Sequence, residues 1–206
     1  MYWPSYENTI DPVLKNIRQA MPEFAGMKPG DQVLDVCCGT GAQVIEYARY
    51  GIMATGIDTG ETMIKSGIKN KTRMNLININ FILADATALP FGDGMFDYVS
   101  VSFGIHDKDQ ITRNKIVSEM KRVVKPEGFL VFIDYQVPLP NNIPALLARI
   151  IERIAGGDHY RGFKDFLHTG GLSKILEDHH LKELKTEPFK SGVVVAAKAR
   201  LNLKQE

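Results

Sequence analysis

The hydrophobic pattern of the chain is clearest between residues 33 and 48. Residues 33–36 form a short apolar run that contains Asp35, glycines follow at Gly39 and Gly41, and residues 44–48 have helical spacing. This order predicts a strand, a tight turn and a helix. Glycine at such a turn permits positive φ and lets a ligand approach the backbone. In an open parallel sheet, ligands bind at the carboxyl ends of the strands.

The same alternation of apolar runs and amphipathic segments continues along the chain. Helices are predicted at 13–24, 59–70, 109–124, 143–154 and 171–179. The other strands are predicted at 51–58, 80–85, 95–103, 129–134, 181–189 and 193–199. Residues 190–192 join the last two strands as a closing hairpin. No repeat or interdomain linker interrupts the order, which favours a single α/β sheet.

For three segments of the carboxyl-terminal half, the sequence also predicts which side chains are buried or face a substrate. The helix at 109–124 is expected to place Ile111 on its inner face, together with Ile116, Met120, Val123 and Val124. The apolar stripe of 143–154 is expected to pack on the sheet, with a lid over a lipophilic ligand as the alternative. The segment 156–163 is glycine-rich and polar, and it is predicted to be a flexible loop facing a substrate.

The composition indicates one domain without a nucleic-acid partner. A chain of 206 residues suits one domain, here divided into a helical amino-terminal cap (1–29), the sheet, and a substrate-side insertion (136–172). Because 25 basic residues balance 24 acidic ones, no strong field attracts nucleic acid. The adjacent Cys37 and Cys38 disfavour a structural disulfide, so a reducing cytoplasm is predicted. No signal peptide or membrane span is apparent in the sequence.

The glycine turn does not match a dinucleotide-binding fingerprint. Gly-x-Gly-x-x-Gly would need a third glycine where the chain has Val44. The carboxylate of Asp35, just before the turn, suits a cation instead. The residue pattern thus favours a cofactor that carries positive charge over a nicotinamide.

Two later strands also end in aspartate. Asp58 lies nineteen residues after Gly39, close to the spacing at which an acid reaches ribose hydroxyls. A carboxylate can accept hydrogen bonds from both hydroxyls, whereas the alternative role is a cap on the following helix. Asp85 ends the third predicted strand, and it too has a capping alternative.

The pattern Asp-x-x-x-Gly-x-Gly after an apolar strand resembles the first motif of class I S-adenosylmethionine-dependent methyltransferases. Cys37 replaces the family's usual first glycine, and the wording Cys-Cys-Gly-Thr is similar to the ubiquinone/menaquinone biosynthesis C-methyltransferase branch. The resemblance implies a Rossmann-like seven-stranded sheet of order 3-2-1-4-5-7-6. The last strand is expected to be antiparallel, with helices on both faces.

The resemblance also implies S-adenosylmethionine as the cofactor, with S-adenosylhomocysteine as product. Asp58 is expected to bind the ribose, while the Asp85 side chain and the Ala86 N–H recognise adenine and Met63 packs against it. The complete set of predicted cofactor contacts is Asp35, Gly39, Thr40, Gly41, Asp58, Thr59, Met63, Asp85, Ala86 and Ser102. The aromatic residues of 2–6 are expected to form a hydrophobic cover for a sheet edge, with closure of Trp3 or Tyr6 over the cofactor as the alternative.

The predicted acceptor side begins where the fourth strand ends. Phe103-Gly104-Ile105 matches the C-methyltransferase wording, but His106-Asp107 stands where the family usually has Arg-Asn. His106 titrates near neutrality and is predicted to be a general base oriented by Asp107, with a loop residue of no chemical role as the alternative. His159, Tyr160 and Arg161 are weaker candidates for holding the acceptor's oxygens. No metal site is predicted.

Taken with the resemblance, these features predict methyl transfer to a small aromatic or lipophilic acceptor such as a quinone precursor. The alternatives are O- or N-methylation of another metabolite, a non-catalytic protein that binds the cofactor, and a nicotinamide oxidoreductase. The partners predicted are the acceptor alone, without nucleic acid, with peripheral membrane contact as an option. The chain is expected to be a monomer or a homodimer.

Overall fold

A computed structural model describes residues 6–202, with side chains from residue 14 onward. Trp3 and the Tyr6 side chain, expected to cover a sheet edge or alternatively to close over the cofactor, fall outside the described part. The helices are α1 Tyr6–Ala25, α2 Ala42–Arg49, α3 Glu61–Arg73, α4 Gln110–Val123, α5 Ile143–Ala155, α6 Gly157–Thr169 and α7 Gly171–Asp178. The strands are β1 Gln32–Val36, β2 Met53–Asp58, β3 Ile79–Leu83, β4 Phe96–Ser102, β5 Val124–Tyr135, β6 Leu181–Phe189 and β7 Val194–Leu201.

The strands form one sheet in the order β3-β2-β1-β4-β5-β7-β6. β1 to β5 pair in parallel, and β7 runs antiparallel to both of its neighbours. The predicted order and the antiparallel last strand are confirmed, with helices on both faces. Val36 of β1 pairs with Ile57 of β2 and Val101 of β4. The carboxyl ends of these three strands therefore meet at one edge of the sheet.

The core explains why these strands are nearly continuous apolar runs. Val99 and Val101 of β4 and Val131 and Phe132 of β5 are almost fully buried, as expected of strands covered by helices on both faces. Val123 and Met120 of α4 pack into the same core. Among residues 6–202, no helix combines the length and apolar character needed to cross a bilayer.

Some local predictions were wrong. Ile111 is 70% exposed, because it lies in the first turn of α4 on its solvent side. The segment 156–163 is not a loop: α6 begins at Gly157 and buries Phe163 and Phe166. These aromatic side chains, three residues apart, give the segment a helical apolar face. β5 also begins earlier than predicted, since Phe96 pairs with Val124 before the regular ladder resumes at Phe129.

Helix α5 faces the opposite way from its expected orientation. Its inner side consists of Ala145, Ala148 and Glu152, whereas its large apolar side chains point outward. These exposed side chains are Ile143, Leu146, Leu147, Ile150, Ile151 and Ile154. The prediction that the stripe packs on the sheet is therefore wrong. Because Ala145 and Ala148 are small, the backbone of α5 lies close to the rest of the domain. The Glu152 carboxylate is therefore buried inside the domain.

The glycine turn after β1 is held by packing as well as by backbone conformation. Gly41 has φ of 78° and no space for a side chain, because a Cβ there would overlap the ring of Phe81. That ring cannot move aside freely, because it also packs against Gly67, where a Cβ would lie 2.8 Å from its Cε1 atom. Gly39, with φ of 54°, has no described atom other than those of its chain neighbours within 4 Å of the position a Cβ would take.

We expect Gly41→Ala to lower the free energy of unfolding by about 2–5 kcal/mol, because it adds overpacking against Phe81 to the strain of positive φ. Gly39→Ala, the matched control, should lose only the strain of roughly 1–2 kcal/mol. Urea unfolding of both variants measures the difference. Equal losses would contradict the packing account of the turn.

Asp35 is a buried carboxylate inside the sheet. Its Oδ1 accepts a hydrogen bond of 2.6 Å from Ser100 Oγ of β4, and the residue is 1% exposed. Burial raises the pKa of Asp35 to about 7, although the Ser100 hydrogen bond and the charge of Arg18 act to lower it. Folding therefore favours the protonated form of this group.

Between about pH 4 and pH 7, Asp35 should be protonated in the folded protein but ionised in the unfolded chain. Its pKa is higher in the folded state than the ordinary value of 3.8, so the free energy of unfolding falls as pH rises through this window. Asp35→Asn removes the effect. Relative to this variant, wild type should lose about 2–3 kcal/mol of stability between pH 5 and pH 8. Denaturant titrations at both pH values test this, and parallel pH profiles would contradict it.

Candidate active site

The turn between β1 and α2 exposes backbone at the switch point of the sheet. The Cys38 N–H donates a hydrogen bond to Ile57 O at 2.8 Å, which extends the pairing of β1 with β2 by one residue. The Gly41 N–H donates to Cys38 O at 2.9 Å and closes the turn. Gly41 then caps α2 without a side-chain hydrogen bond. The amide groups of the first turn of α2 thus lack a side-chain cap, which suits an anionic or polar ligand group.

Cys37 takes the place of a glycine without disrupting the turn. Its φ is 55°, in the left-handed region that favours glycine. The neighbouring loop compensates for the extra bulk, because a Cβ on Gly104 would lie 2.6 Å from the Cβ of Cys37. Burial raises the pKa of the Cys37 thiol to about 12. The cysteine therefore fills space in the turn and stays protonated at neutral pH.

Asp58 joins the glycine turn to the start of α3. Its Oδ2 accepts from Gly39 N at 2.9 Å, and its Oδ1 accepts from Gly60 N at 2.7 Å. The second bond closes a local turn before α3, whose N-cap is Gly60 and has no side-chain capping hydrogen bond. Asp58 is half-buried at the open edge of the sheet, and each carboxylate oxygen can accept further hydrogen bonds.

The other predicted cofactor residues lie along the same edge or inside it. Asp85 is exposed and accepts from Thr87 N at 2.8 Å, and this hydrogen bond lowers its pKa. Just before Asp85, the Ala84 N–H donates a hydrogen bond of 3.1 Å to Asp58 O, which connects the end of β3 to the end of β2. The remaining positions divide by burial: Ala86, Thr40 and Asp35 are buried, Ser102 is half-buried, and Thr59 and Met63 are exposed.

His106 belongs to a buried polar group that we call the histidine–carboxylate cluster, formed by His106, Asp134, Glu152, His159 and Asp107. His106 Nδ1 lies 2.8 Å from Asp134 Oδ1, and its Nε2 lies 3.6 Å from Glu152 Oε1. His159 Nε2 lies 2.6 Å from Glu152 Oε2, and its Nδ1 lies 3.4 Å from Asp107 Oδ2. The cluster joins the ends of β4 and β5 to α5 and α6.

The carboxylates of the cluster stabilise the charged form of both rings. Burial acts to lower the pKa of His106, but the neighbouring carboxylates of Asp134 and Glu152 outweigh it and raise the pKa to about 10. Hydrogen bonds to Asp107 and Glu152 raise the pKa of His159 to about 9. The pKa of Glu152 is lowered, because the two neighbouring histidines and the hydroxyl of Tyr135 outweigh its desolvation.

The carboxylate beside His106 is not the one predicted from the sequence. Asp107 contacts Lys108 at 2.7 Å and His159, so the carboxylate that orients the His106 ring is Asp134. His106 is only 3% exposed, with Tyr135 and Phe163 edge-on to its ring at 5.0 and 6.1 Å between centroids. Its assignment as a general base stays a prediction.

A cavity of about 650 Å³ opens beside the cluster. It is lined by Asp107, Lys108, Asp109, Gln110, Asp158, His159, Arg161, Gly162 and Asp165. Of the weaker acceptor-side candidates, His159 and Arg161 therefore share a cavity. Tyr160 packs 6.4 Å from Phe163 between ring centroids and contributes to the aromatic wall.

Sequence reasoning missed Asp134 and Glu152. Asp134 carried a detectable signal, because it ends a predicted strand as Asp58 and Asp85 do. Glu152 carried none, since it interrupts a helix whose apolar stripe pointed to the opposite orientation. Its partner His159 was assigned to a loop, because 156–163 is rich in glycine and polar residues.

Comparison with known proteins identifies the family. The profile described as "ubiE/COQ5 methyltransferase family" matches residues 13–144. The chain is 36% identical over 139 residues to a demethylmenaquinone methyltransferase of Renibacterium salmoninarum, covering 66% of this chain and 56% of that protein. It is 29% identical to the protein of that name from Bacillus cytotoxicus, covering 85% of this chain and 80% of the relative.

The alignments span about half the length of several of these relatives. Among solved structures, a SAM-dependent methyltransferase from Aquifex aeolicus superimposes with a TM-score of 0.70 at 20% identity, covering 97% of this chain and 98% of that one. A likeness at this identity concerns the fold. The profile match covers more than half of the chain, and the protein therefore belongs to the ubiE/COQ5 methyltransferase family.

Proposed function

We propose that this protein is an S-adenosylmethionine-dependent methyltransferase that methylates a carbon of a small, lipophilic aromatic acceptor of the demethylated quinol type. The observation that carries the proposal is the membership of the family combined with the Asp58 bridge at the glycine turn. We place the activity in the cytoplasm, which agrees with the two free thiols of Cys37 and Cys38.

The open backbone at Gly39 fits the proposed cofactor. Apart from its chain neighbours, no described residue has an atom within 4 Å of the position that a Cβ would take at Gly39, so an extended nucleoside can lie against the main chain there. Asp58 would bind the ribose hydroxyls while it holds the turn. Asp85 and Ala86 would recognise the adenine, with Thr59 and Met63 beside it. Thr40, Gly41 and Ser102 complete the proposed contacts, whereas Asp35 is buried against Ser100 and would support the turn from inside the sheet.

The cofactor supplies an electrophilic methyl group and leaves as a neutral thioether, so the protein has no leaving anion to stabilise. Its main contribution is to hold donor and acceptor at reacting distance, worth up to roughly 7–11 kcal/mol. The acceptor would lie beside the ends of β4 and β5, within the 136–172 segment that includes α5 and α6. A base beside the acceptor would then remove the proton from the methylated position. His106 would serve only in its neutral form, which its raised pKa of about 10 disfavours at pH 7.

The proposal is tested by incubating the untagged protein with methyl-labelled S-adenosylmethionine and a demethylated naphthoquinol that carries a short prenyl tail. We expect a product with a new carbon-bound methyl signal in its carbon spectrum. A methoxy or N-methyl product would overturn C-methylation. Binding of the cofactor without transfer to any acceptor would support a non-catalytic protein instead.

Asp58→Ala should weaken binding of S-adenosylhomocysteine by about 1–3 kcal/mol, roughly 5- to 150-fold, because charged hydrogen bonds to the ribose are lost. Isothermal calorimetry measures the affinity. Asp178→Asn, which alters an aspartate of α7 that contacts Lys174, is the matched control and should bind normally. Because Asp58 also holds the turn, thermal unfolding without ligand is measured in parallel. Unchanged affinity in a folded Asp58→Ala variant would contradict the ribose assignment.

We further propose that the exposed apolar face of α5 contacts an anionic membrane surface from which a lipophilic acceptor is drawn. Leu147, Ile150 and Ile154 lie on that face and are 53%, 44% and 62% exposed. At 100° per residue, Arg149 and Arg153 lie along one border of it. Apolar side chains bordered by arginine suit insertion at the boundary between headgroups and acyl chains.

Replacing Ile150 with Asp should reduce co-sedimentation with phosphatidylglycerol vesicles at least several-fold, because it places a charge within the apolar face. Ile77→Asp changes an isoleucine that is 91% exposed outside α5, and it should leave sedimentation unchanged. Sedimentation velocity without vesicles tests whether this face instead binds a second copy of the chain. A dimer that Ile150→Asp dissociates would assign the face to a second copy of the chain and overturn the membrane proposal.

A further inference from the structure

The histidine–carboxylate cluster has the arrangement of a metal site. One ligand atom from each of His106, Glu152 and His159 lies within 4.8 Å of the other two. The distances identify the facing atoms as the Nε2 atoms of both rings and the two carboxylate oxygens of Glu152. The three residues come from separate elements: the loop after β4, α5 and α6.

Each ring also has a second carboxylate on its far side. Asp134 Oδ1 lies 2.8 Å from Nδ1 of His106, and Asp107 Oδ2 lies 3.4 Å from Nδ1 of His159. In metalloproteins, a ligating histidine gives its other ring N–H to such a group, which fixes the tautomer and the ring orientation. Here both Nε2 atoms face the same carboxylate, that of Glu152.

Both ring nitrogens of His106 are buried without a hydrogen bond of good geometry to a described residue, although Nδ1 lies 2.8 Å from Asp134 Oδ1. Nε2 has no described carboxylate at such a short distance. Glu152 Oε1, at 3.6 Å, is beyond hydrogen-bond distance, and the His106 side chain is only 4% exposed. A buried polar atom without a partner is costly, on the order of 1–3 kcal/mol. A ligand between His106 and Glu152 would satisfy this atom.

We propose that His106, Glu152 and His159 bind one Zn²⁺ ion. Two imidazoles and one carboxylate form a ligand set used by zinc, whereas Mg²⁺ and Ca²⁺ prefer oxygen ligands alone. Three protein ligands leave one tetrahedral position for a water molecule or an oxygen of a bound molecule. This site differs from the sequence-based prediction that no metal is bound.

Charge balance permits the cluster to exist with and without the ion. Three carboxylates, those of Asp107, Asp134 and Glu152, surround the two rings. A divalent ion with two neutral imidazoles carries the same total charge as two imidazolium rings. The domain can therefore fold before the ion arrives, without leaving the buried carboxylates unpaired.

Solvent can reach the site through His159. Its side chain is 38% exposed and lines the cavity of about 650 Å³, together with Asp107. His106 and Glu152 lie behind it and are almost fully buried. An ion would enter from this cavity and displace the direct contact between His159 and Glu152.

The test is a calorimetric titration of the untagged, full chain with ZnCl₂ after dialysis against a chelator. We expect one ion per chain. His159→Ala should lower the affinity by about 100-fold or more, and Asp134→Asn by roughly 10- to 100-fold, because the latter disturbs only the orientation of His106. His168→Ala changes a histidine of the same helix outside the cluster and should leave the affinity unchanged.

Cobalt replaces zinc in a second measurement, because its visible spectrum reports coordination by histidine and a tetrahedral geometry. The spectrum should disappear in His159→Ala and persist in His168→Ala. Zinc binding that is absent, or equally strong in all variants, would overturn the site. Thermal unfolding without metal shows whether each variant is folded.

The zinc site does not rest on the proposed methyl transfer. Binding of S-adenosylhomocysteine is measured on the same metal-free preparation, so a failure of either proposal is recognised separately. The site does compete with the role of His106 as a general base, since a metal would occupy its Nε2. Loss of turnover in His106→Ala, together with absence of zinc binding in wild type, would favour the base.

Discussion

The open edge of this sheet depends on the two hydrogen bonds that Asp58 accepts. One carboxylate fixes the amide of Gly39 in the turn after β1 and the amide of Gly60 at the start of α3. The turn can adopt this shape because Gly41 fits against Phe81 and because Gly104 leaves room for Cys37. The backbone surface to which we assign the nucleoside is therefore held in place by the protein's own contacts.

The orientation of α5 organises the region to which we assign the acceptor. Ala145 and Ala148 let this helix lie close to the domain, so that Glu152 reaches the two histidines and the hydroxyl of Tyr135, which donates to Glu152 Oε1 at 2.7 Å. The same orientation leaves the large apolar side chains outside. A single helix thus carries both the buried cluster and the face we assign to a membrane.

The sheet could be predicted from the sequence because its central strands are continuous apolar segments, buried on both faces and separated by turns that contain glycine or proline. The strand-ending positions of Asp58 and Asp85 follow from the same pattern. The cluster could not be predicted, because its members lie far apart in the chain and meet only through the packing of α5 and α6. The stripe of α5 was misleading, since periodicity shows that a helix has an apolar face without showing which way that face points.

The central claim is that the edge bounded by Asp58 and the glycine turn binds a sulfur nucleoside. A crystal structure of the protein with S-adenosylhomocysteine tests it most directly. We predict that the ribose hydroxyls lie within hydrogen-bond distance of the Asp58 carboxylate, with the adenine beside Asp85 and Ala86. A nucleoside bound elsewhere, or a turn whose space is closed by side chains in the presence of saturating ligand, would contradict the account.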